Sequence, residues 1–218
     1  MKKNIFIAVL PFFIFTHCSK NKDNADLQKG LQAHFKLDGA FSDLTGHISS
    51  TGHIGTINFI TDRHGTAQGA ASFGGGYFWF DFPENFSATP MTISFWVKLK
   101  DLTKEAYFIK TDQAGFGINQ NKDKIHFVVS TPVTDGFGST VTTGWSHIAG
   151  TYDGTNVKLY INGEYKGYEV NPGDPGQTIH VEIGTVEASP FNWEGSLDDI
   201  RFYNRILSKE EIKMLAEE

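Results

Sequence analysis

Apolar and polar residues alternate over short segments along most of this chain. In residues 92–99 every second side chain is apolar, and one face of the segment carries Ile93, Phe95, Val97 and Leu99. Successive side chains of a β-strand point to opposite faces, so a period of two predicts half-buried strands. Alternation and the enrichment in β-branched and aromatic residues also predict strands at residues 32–37, 70–73, 77–80, 107–110, 115–119, 124–129, 146–152, 157–161, 164–170, 178–183 and 197–203.

Turn sequences separate these segments. Asp153-Gly154 and Asn162-Gly163 are typical of two-residue hairpin turns, because both dipeptides tolerate positive φ angles. The chain contains 23 glycines and 19 phenylalanines and few helical patterns. About a dozen short strands joined by turns predict an all-β domain built as a two-sheet antiparallel sandwich.

The C-terminal segment predicts a closing strand followed by one short helix. Ser208 and Glu211 have the spacing of a capping box, which marks the start of that helix. The strand at residues 197–203 carries Asp198 and Asp199 side by side. Strand alternation predicts that these two carboxylates point to opposite faces, so they are not expected to act together on one bond.

The N-terminus has the features of a secretion signal. Lys2 and Lys3 precede an apolar run at residues 5–15, which is shorter than the roughly 20 residues needed to span a bilayer. Cys18, the only cysteine, follows this run and cannot form an intramolecular disulfide. Its position resembles the lipobox of bacterial lipoproteins, although residues 15–17 depart from the aliphatic and small residues of that motif. We predict that Cys18 is lipidated; ordinary secretion and a structural cysteine are the alternatives.

These features divide the chain into three parts. Residues 1–18 are predicted to be a lipoprotein signal peptide, residues 19–29 a flexible tether, and residues 30–218 one domain. A lipid anchor would place the protein in the bacterial cell envelope, at the outer membrane, on its periplasmic or surface face. The net charge of −6 offers no basic patch, so nucleic acid is not expected as a partner.

Five motifs in the domain occur in an order that resembles a known family. They are GAASFG at 69–74, TISFWVK at 92–98, WSHIAGTYDG at 145–154, VKLYING at 157–163 and GSLDDIRFYNR at 195–205. Together they resemble the laminin-G-like jelly-roll domains of the concanavalin A-like lectin/glucanase superfamily, from about residue 30 to the end of the chain. The resemblance implies a two-sheet jelly roll, often with a calcium ion, that often acts as a carbohydrate-binding unit.

The resemblance also implies a structural calcium site. In such domains an aspartate on the last strand joins carbonyl groups from the loop after the first strand, and Asp198 matches that aspartate. The corresponding loop here contains Asp38 and Asp43. Calcium prefers six to eight oxygen ligands of this kind. We predict a Ca²⁺ ion held by Asp198, Asp43 and Asp38; in the alternative, Asp198 pairs with an arginine or caps a turn.

Catalytic motifs are not found in the sequence. Retaining glycosidases need two carboxylates about 5–5.5 Å apart, and the strand pattern Glu-x-Asp-x-x-Glu that supplies them in one type of this fold does not occur. The nearest segment, residues 81–84, lacks the first glutamate and contains a proline. The histidines do not have zinc-ligand spacing. The domain is therefore predicted to be non-catalytic.

Several aromatic residues are candidates for contacts with sugar rings. Alternation puts Tyr77 and Trp79 on one face of their strand, while Phe137, Phe191 and Trp193 lie in predicted loop regions. For each of them, packing in the core is the alternative. The sequence thus predicts a cell-envelope lipoprotein whose domain binds carbohydrate. An adhesion or assembly subunit that binds an envelope protein is a second hypothesis, and a polysaccharide-active enzyme is a third.

Overall fold

The structure is a computed structural model that describes residues 25–49, 51–83, 89–111, 116–129, 137–170, 180–184 and 193–218. In chain order its strands are β1 (Leu31–Phe35), β2 (Thr51–Ile54), β3 (Ile57–Ile60), β4 (Ala70–Gly74), β5 (Tyr77–Asp81), β6 (Met91–Leu99), β7 (Glu105–Thr111), β8 (Phe116–Asn121), β9 (Lys124–Val129), β10 (Phe137–Thr140), β11 (Ser146–Tyr152), β12 (Asn156–Ile161), β13 (Glu164–Val170), β14 (His180–Gly184) and β15 (Glu194–Tyr203). Helix α1 (Lys209–Glu217) follows β15. The lipidation candidate Cys18 and the predicted signal peptide lie outside the described residues.

The strands form two antiparallel sheets. One sheet has seven strands in the order β10-β9-β8-β7-β14-β5-β2. The other has eight, in the order β13-β12-β11-β6-β15-β4-β3, with β1 also paired to β15. β4 pairs with the first part of β15 and β1 with its last part, so the two strands share one edge of it. The predicted all-β, two-sheet antiparallel sandwich with a short C-terminal helix is confirmed.

Phenylalanine side chains fill the space between the sheets. Phe35 and Phe80 are almost completely buried, and their ring centroids lie 4.7 Å apart. Phe108 stacks on Trp193 at the same centroid separation. Each such side chain contributes about 1.5–3 kcal/mol when it leaves water, so these rings supply much of the free energy that holds the sheets together.

Gly150 of β11 provides the room for one of these rings. A Cβ atom at position 150 would lie within 3.0 Å of the Phe127 ring, which comes from the opposite sheet. We expect Gly150→Val to lower the free energy of unfolding by about 1–3 kcal/mol, because the core has no space for the added carbons. Chemical denaturation measures the change. Gly74→Ala is the control, since a Cβ there meets only the Thr56 carbonyl oxygen at 3.9 Å. Equal unfolding midpoints for the two variants would contradict the prediction.

Helix α1 begins as the sequence predicts. The Ser208 side chain accepts a hydrogen bond from the Glu211 backbone N–H, and the Glu211 carboxylate accepts one from the Ser208 N–H. Ile212 and Leu215 pack with Tyr203 on the outer side of the eight-stranded sheet. This helix covers part of that sheet. Within the described ranges, no helix is long and apolar enough to cross a membrane.

Candidate functional site

The outer face of the seven-stranded sheet carries two neighbouring aromatic rings. Phe78 and Phe80 of β5 are buried in the core, so Tyr77 and Trp79 of the same strand point outward and are half-buried. Their ring centroids lie 5.5 Å apart, and the two ring planes are inclined by 44°. The structure therefore brings this pair of predicted ligand-binding residues together on the surface.

A glycine on the neighbouring strand positions the Trp79 ring. Gly52 of β2 is the cross-strand partner of Trp79. A Cβ atom at position 52 would overlap the indole, with three of its carbons nearer than 3.0 Å. The ring thus lies against the backbone of β2. Next to it Ile54, the partner of Tyr77, is 56% exposed and extends the apolar surface.

Polar side chains border the rings on the other side. In β14, Glu182 is the cross-strand partner of Trp79, and Lys110 of β7 is the partner of Glu182. His180 faces Asp81, with 2.7 Å between His180 Nδ1 and an Asp81 carboxylate oxygen. The other ring nitrogen of His180 is 4.0 Å from a Glu182 carboxylate oxygen. One face of the sheet therefore presents aromatic rings beside two carboxylates, an imidazole and an ammonium group.

Of the other predicted aromatic residues, only the Trp193 side chain is described, and it does not join this face. Trp193 is fully buried; its Nε1 donates a hydrogen bond to Gln120 Oε1 at 3.1 Å, and its ring stacks on Phe108. Trp193 therefore belongs to the core and has no ring face open to a ligand. The backbone of Phe137 begins edge strand β10 rather than a loop, and its side chain is not among those described. Phe191 lies outside the described residues.

The three predicted calcium ligands have separate partners. Asp198 accepts a hydrogen bond from Arg63. The Asp43 carboxylate accepts backbone N–H bonds at 2.8–3.1 Å and one from the Thr45 hydroxyl at 2.6 Å. Asp38 lies 3.1 Å from the Lys36 ammonium. No cluster of three or more His, Cys, Asp or Glu side chains suited to a metal occurs among the described residues, so the structure does not bring these three side chains together, and the calcium site stays a prediction.

The prediction that Asp198 and Asp199 point to opposite faces is wrong. The pairing of β15 with β6 contains a bulge between Asp198 and Arg201, and Asp199 has a φ of 48°. A bulge interrupts the alternation of side chains and re-aims them. Both carboxylates consequently face one guanidinium: Arg63 donates from Nη1 to Asp198 and from Nη2 to Asp199, the latter at 2.6 Å.

Arg63 is the buried counter-ion of the two carboxylates. Its side chain is 8% exposed, and its guanidinium lies 4.7 Å from the centroid of the Trp96 ring. Burial, together with the Asp199 charge, raises the pKa of Asp198 to about 7. Burial also disfavours the charged form of Asp199, but hydrogen bonds from His34 and Arg63 outweigh it and lower the pKa of that carboxyl well below its usual range.

The ionic cluster connects distant parts of the chain. His34 of β1 lies 3.0 Å from Asp199, and Arg201 of β15 reaches both Asp199 at 3.6 Å and Glu218 at 2.6 Å. Arg63 comes from the segment between β3 and β4. Arg63 occupies both carboxylates, and apart from Glu218, which is 40% exposed, these side chains are largely buried. The arrangement therefore suits structural cross-linking rather than contact with a substrate.

Comparison with known proteins identifies the fold and the family. The Laminin_G_3 family, of the concanavalin A-like lectin/glucanases superfamily, matches residues 73–213. No curated protein matches the chain. Domain 4 of AbnA, a GH43 extracellular arabinanase from Geobacillus stearothermophilus, solved in complex with arabinotriose, is similar in structure: the TM-score is 0.66 at 24% identity, over 85% of this chain and 98% of that one.

Binding domains of botulinum neurotoxins share the fold as well. The receptor binding domain of the mosaic serotype C/D superposes with a TM-score of 0.70 at 17% identity, over 88% of this chain and 51% of that one. The binding domain of neurotoxin DC in complex with SialylT gives 0.71 at 12% identity, over 88% and 52%. The chain thus spans about half the length of these toxin domains. The family match covers more than half of the sequence, and the chain accordingly belongs to the Laminin_G_3 family of the concanavalin A-like lectin/glucanases superfamily.

Proposed function

We propose that this domain is a non-catalytic carbohydrate-binding module and that glycans bind to the outer face of the seven-stranded sheet. The observation that carries the proposal is the half-buried pair Tyr77 and Trp79, which lies beside the carboxylates of Asp81 and Glu182. Sugar-binding sites combine aromatic faces, which stack on the C–H surfaces of sugar rings, with a few polar groups that fix orientation. The complex of one structural neighbour with arabinotriose agrees with this kind of ligand.

The non-catalytic part of the proposal rests on the surroundings of the carboxylates. Asp198 and Asp199 are 2% and 8% exposed and are held by Arg63. On the outer face of the seven-stranded sheet around Tyr77 and Trp79, called the ligand face below, His180 lies between Asp81 and Glu182. Neither pair of carboxylates is arranged as a free acid and a free base on one bond.

The proposed cellular setting is the bacterial envelope. Lipidation of Cys18 would anchor the chain at the outer membrane, and the domain would then meet glycans at the cell surface or in the periplasm. An envelope protein is the alternative partner, and it would give this domain an adhesion or assembly role.

The Trp79 side chain provides the direct test of glycan binding. We expect Trp79→Ala to weaken the affinity for a bound glycan at least about tenfold, or ~1.4 kcal/mol, because the main stacking surface is removed. A glycan array of the wild-type domain identifies the ligand, and isothermal titration calorimetry then compares the two proteins. Thermal unfolding confirms that the variant remains folded.

The matched control is Tyr168→Ala. Tyr168 is also an exposed aromatic residue, 57% accessible, but it lies on edge strand β13 of the other sheet. Its loss should leave the affinity unchanged. If the wild-type domain binds no glycan on the array, or if Tyr168→Ala weakens binding as much as Trp79→Ala, the proposed site is wrong. Capture of an envelope protein without glycan binding would favour the adhesion hypothesis.

A further inference from the structure

We propose that the ligand face selects single, uncharged glycan chains and rejects acidic glycans and crystalline polysaccharide surfaces. This inference rests on the proposed function and specifies its ligand class. Two independent observations carry it: the charges that border the aromatic pair, and the angle between the two rings.

The charges nearest to the rings are mainly negative. Asp81 and Glu182 flank His180 on the edge of the aromatic pair, and their side chains are 65% and 15% exposed. Lys110 is the cross-strand partner of Glu182 and is exposed, and its positive charge offsets one of the two negative charges. The protein as a whole has a net charge of −6. An acidic sugar on Trp79 would therefore bring its own carboxylate or sulfate next to a carboxylate of the protein.

The repulsion between these carboxylates and an acidic sugar is large enough to discriminate acidic from neutral sugars. Two like charges 4 Å apart repel by about 1 kcal/mol in bulk water and by about 4 kcal/mol at the effective dielectric constant near a protein surface. A neutral sugar meets no such cost. Its hydroxyl groups instead donate hydrogen bonds to the carboxylate oxygens, and hydrogen bonds to a charged acceptor are stronger than those between neutral groups. The same Asp81 and Glu182 thus favour hydroxyl donors and oppose anions.

The ring geometry favours a single chain over a flat surface. A crystalline polysaccharide presents a plane, and aromatic side chains that bind it need to be coplanar. The planes of Tyr77 and Trp79 differ by 44°, so both rings cannot lie flat on one plane. Rings 5.5 Å apart and inclined in this way can stack on successive residues of one chain that twists as it crosses them. The absence of a side chain at Gly52 leaves the room that the Trp79 ring occupies in this orientation.

Binding to three classes of polysaccharide tests the inference. Soluble neutral probes are arabinan, xylan and a mixed-linkage glucan; acidic probes are polygalacturonate, alginate and heparin; crystalline probes are microcrystalline cellulose and chitin. Affinity electrophoresis and calorimetry measure the soluble probes, and sedimentation measures the insoluble ones. We expect binding to at least one neutral chain, at least about tenfold weaker binding to every acidic probe at low salt, and no binding to the crystalline probes.

Charge-removing variants test the cause of the selectivity. Asp81→Asn combined with Glu182→Gln should narrow the ratio of neutral to acidic affinity at least threefold, since the repulsion is gone. Glu164→Gln removes an exposed carboxylate on β13 of the other sheet and should leave the ratio unchanged.

The outcomes separate this inference from the function on which it rests. Wild-type binding to an acidic probe as tight as to a neutral one, or binding to crystalline cellulose or chitin, overturns the inference while glycan binding stands. An unchanged ratio of neutral to acidic affinity in the variant with both Asp81→Asn and Glu182→Gln also overturns the inference. If no polysaccharide binds, the proposed function fails, and the inference fails with it.

Discussion

Replacing Arg63 by methionine is expected to destabilise the domain by about 3–5 kcal/mol. The variant keeps most of the side-chain volume but leaves Asp198 and Asp199 buried and adjacent without their shared counter-ion. Breaking a buried ion pair from one side costs this much because the remaining charge cannot regain its hydration. Denaturation in urea near neutral pH measures the loss.

A surface ion pair provides the control for this substitution. Lys100 pairs with Glu194, but the two side chains are 70% and 36% exposed. Lys100→Met should therefore change stability by no more than about 1 kcal/mol. If Arg63→Met costs no more than Lys100→Met, Arg63 is not the internal cation of the cluster. Thermal unfolding of the wild-type protein with a chelator and with added Ca²⁺ gives a second readout. Equal melting temperatures are expected if Arg63 balances the charges of Asp198 and Asp199. A lower melting temperature with the chelator would support the calcium prediction.

The second large effect is a loss of stability on acidification, caused by His147. Burial, reinforced by the charges of Arg201 and Arg63, lowers the pKa of His147 from 6.5 to about 3. Its Nε2 lies 2.8 Å from the Ser94 hydroxyl, and its Nδ1 is buried and has no hydrogen-bond partner among the described residues. The folded state therefore holds this imidazole neutral.

The sign of the pH effect follows from the lowered pKa. The unfolded chain binds a proton at this site below pH 6.5, whereas the folded chain does so only near pH 3. The contribution of His147 to the free energy of unfolding is fully present above pH 6.5 and is lost as the pH falls towards 3. The free energy of unfolding then decreases by up to about 1.4 kcal/mol per pH unit, and by about 4–5 kcal/mol in total. Urea denaturation at pH 7.5, 6, 5 and 4 measures this loss.

Comparison with His147→Gln isolates the contribution of this residue. The raised pKa of Asp198 acts with the opposite sign in part of the same range, because the folded state then binds the proton more readily. Asp198 is present in both proteins, so the difference between their profiles reports His147. The free energy of unfolding of His147→Gln should change less between pH 7.5 and pH 4 than that of the wild type. His53→Gln, a change at an exposed histidine, should leave the profile as it is in the wild type, and parallel profiles for wild type and His147→Gln would refute the assignment.

The sequence predicted the features that depend on local periodicity. Strand β6 was recognisable because its apolar residues alternate, and β11 because the Asp153-Gly154 turn marks its end. The same period correctly separated Tyr77 and Trp79 from the buried Phe78 and Phe80. Edge strands β2, β3 and β10 were missed; β2 is mostly exposed, and such strands place few constraints on their side chains.

Features that depend on distant pairing were not predictable from one sequence. Glu182 faces Trp79 only because β14 pairs with β5. Arg63 and Asp198 are 135 positions apart, and their contact requires both the sheet order and the bulge in β15. Trp193 looked like a loop residue because its sequence neighbours are polar, but its indole ring packs on Phe108 across the sandwich.

The pairing of β1 with β15 has a practical consequence for attaching this domain to other molecules. The Asn204 N–H donates to the Gly30 carbonyl at 3.0 Å, and Arg205 Nε donates to the Lys29 carbonyl at 2.6 Å, so the start of β1 and the end of β15 meet at one corner. Glu218, which follows α1, lies 2.6 Å from Arg201 of the same strand pair. That corner belongs to the eight-stranded sheet, whereas Trp79 lies on the outer face of the seven-stranded sheet. A fusion partner or a solid support can therefore be joined at either end, and the unit can be inserted into a loop of a host protein, without covering the aromatic pair.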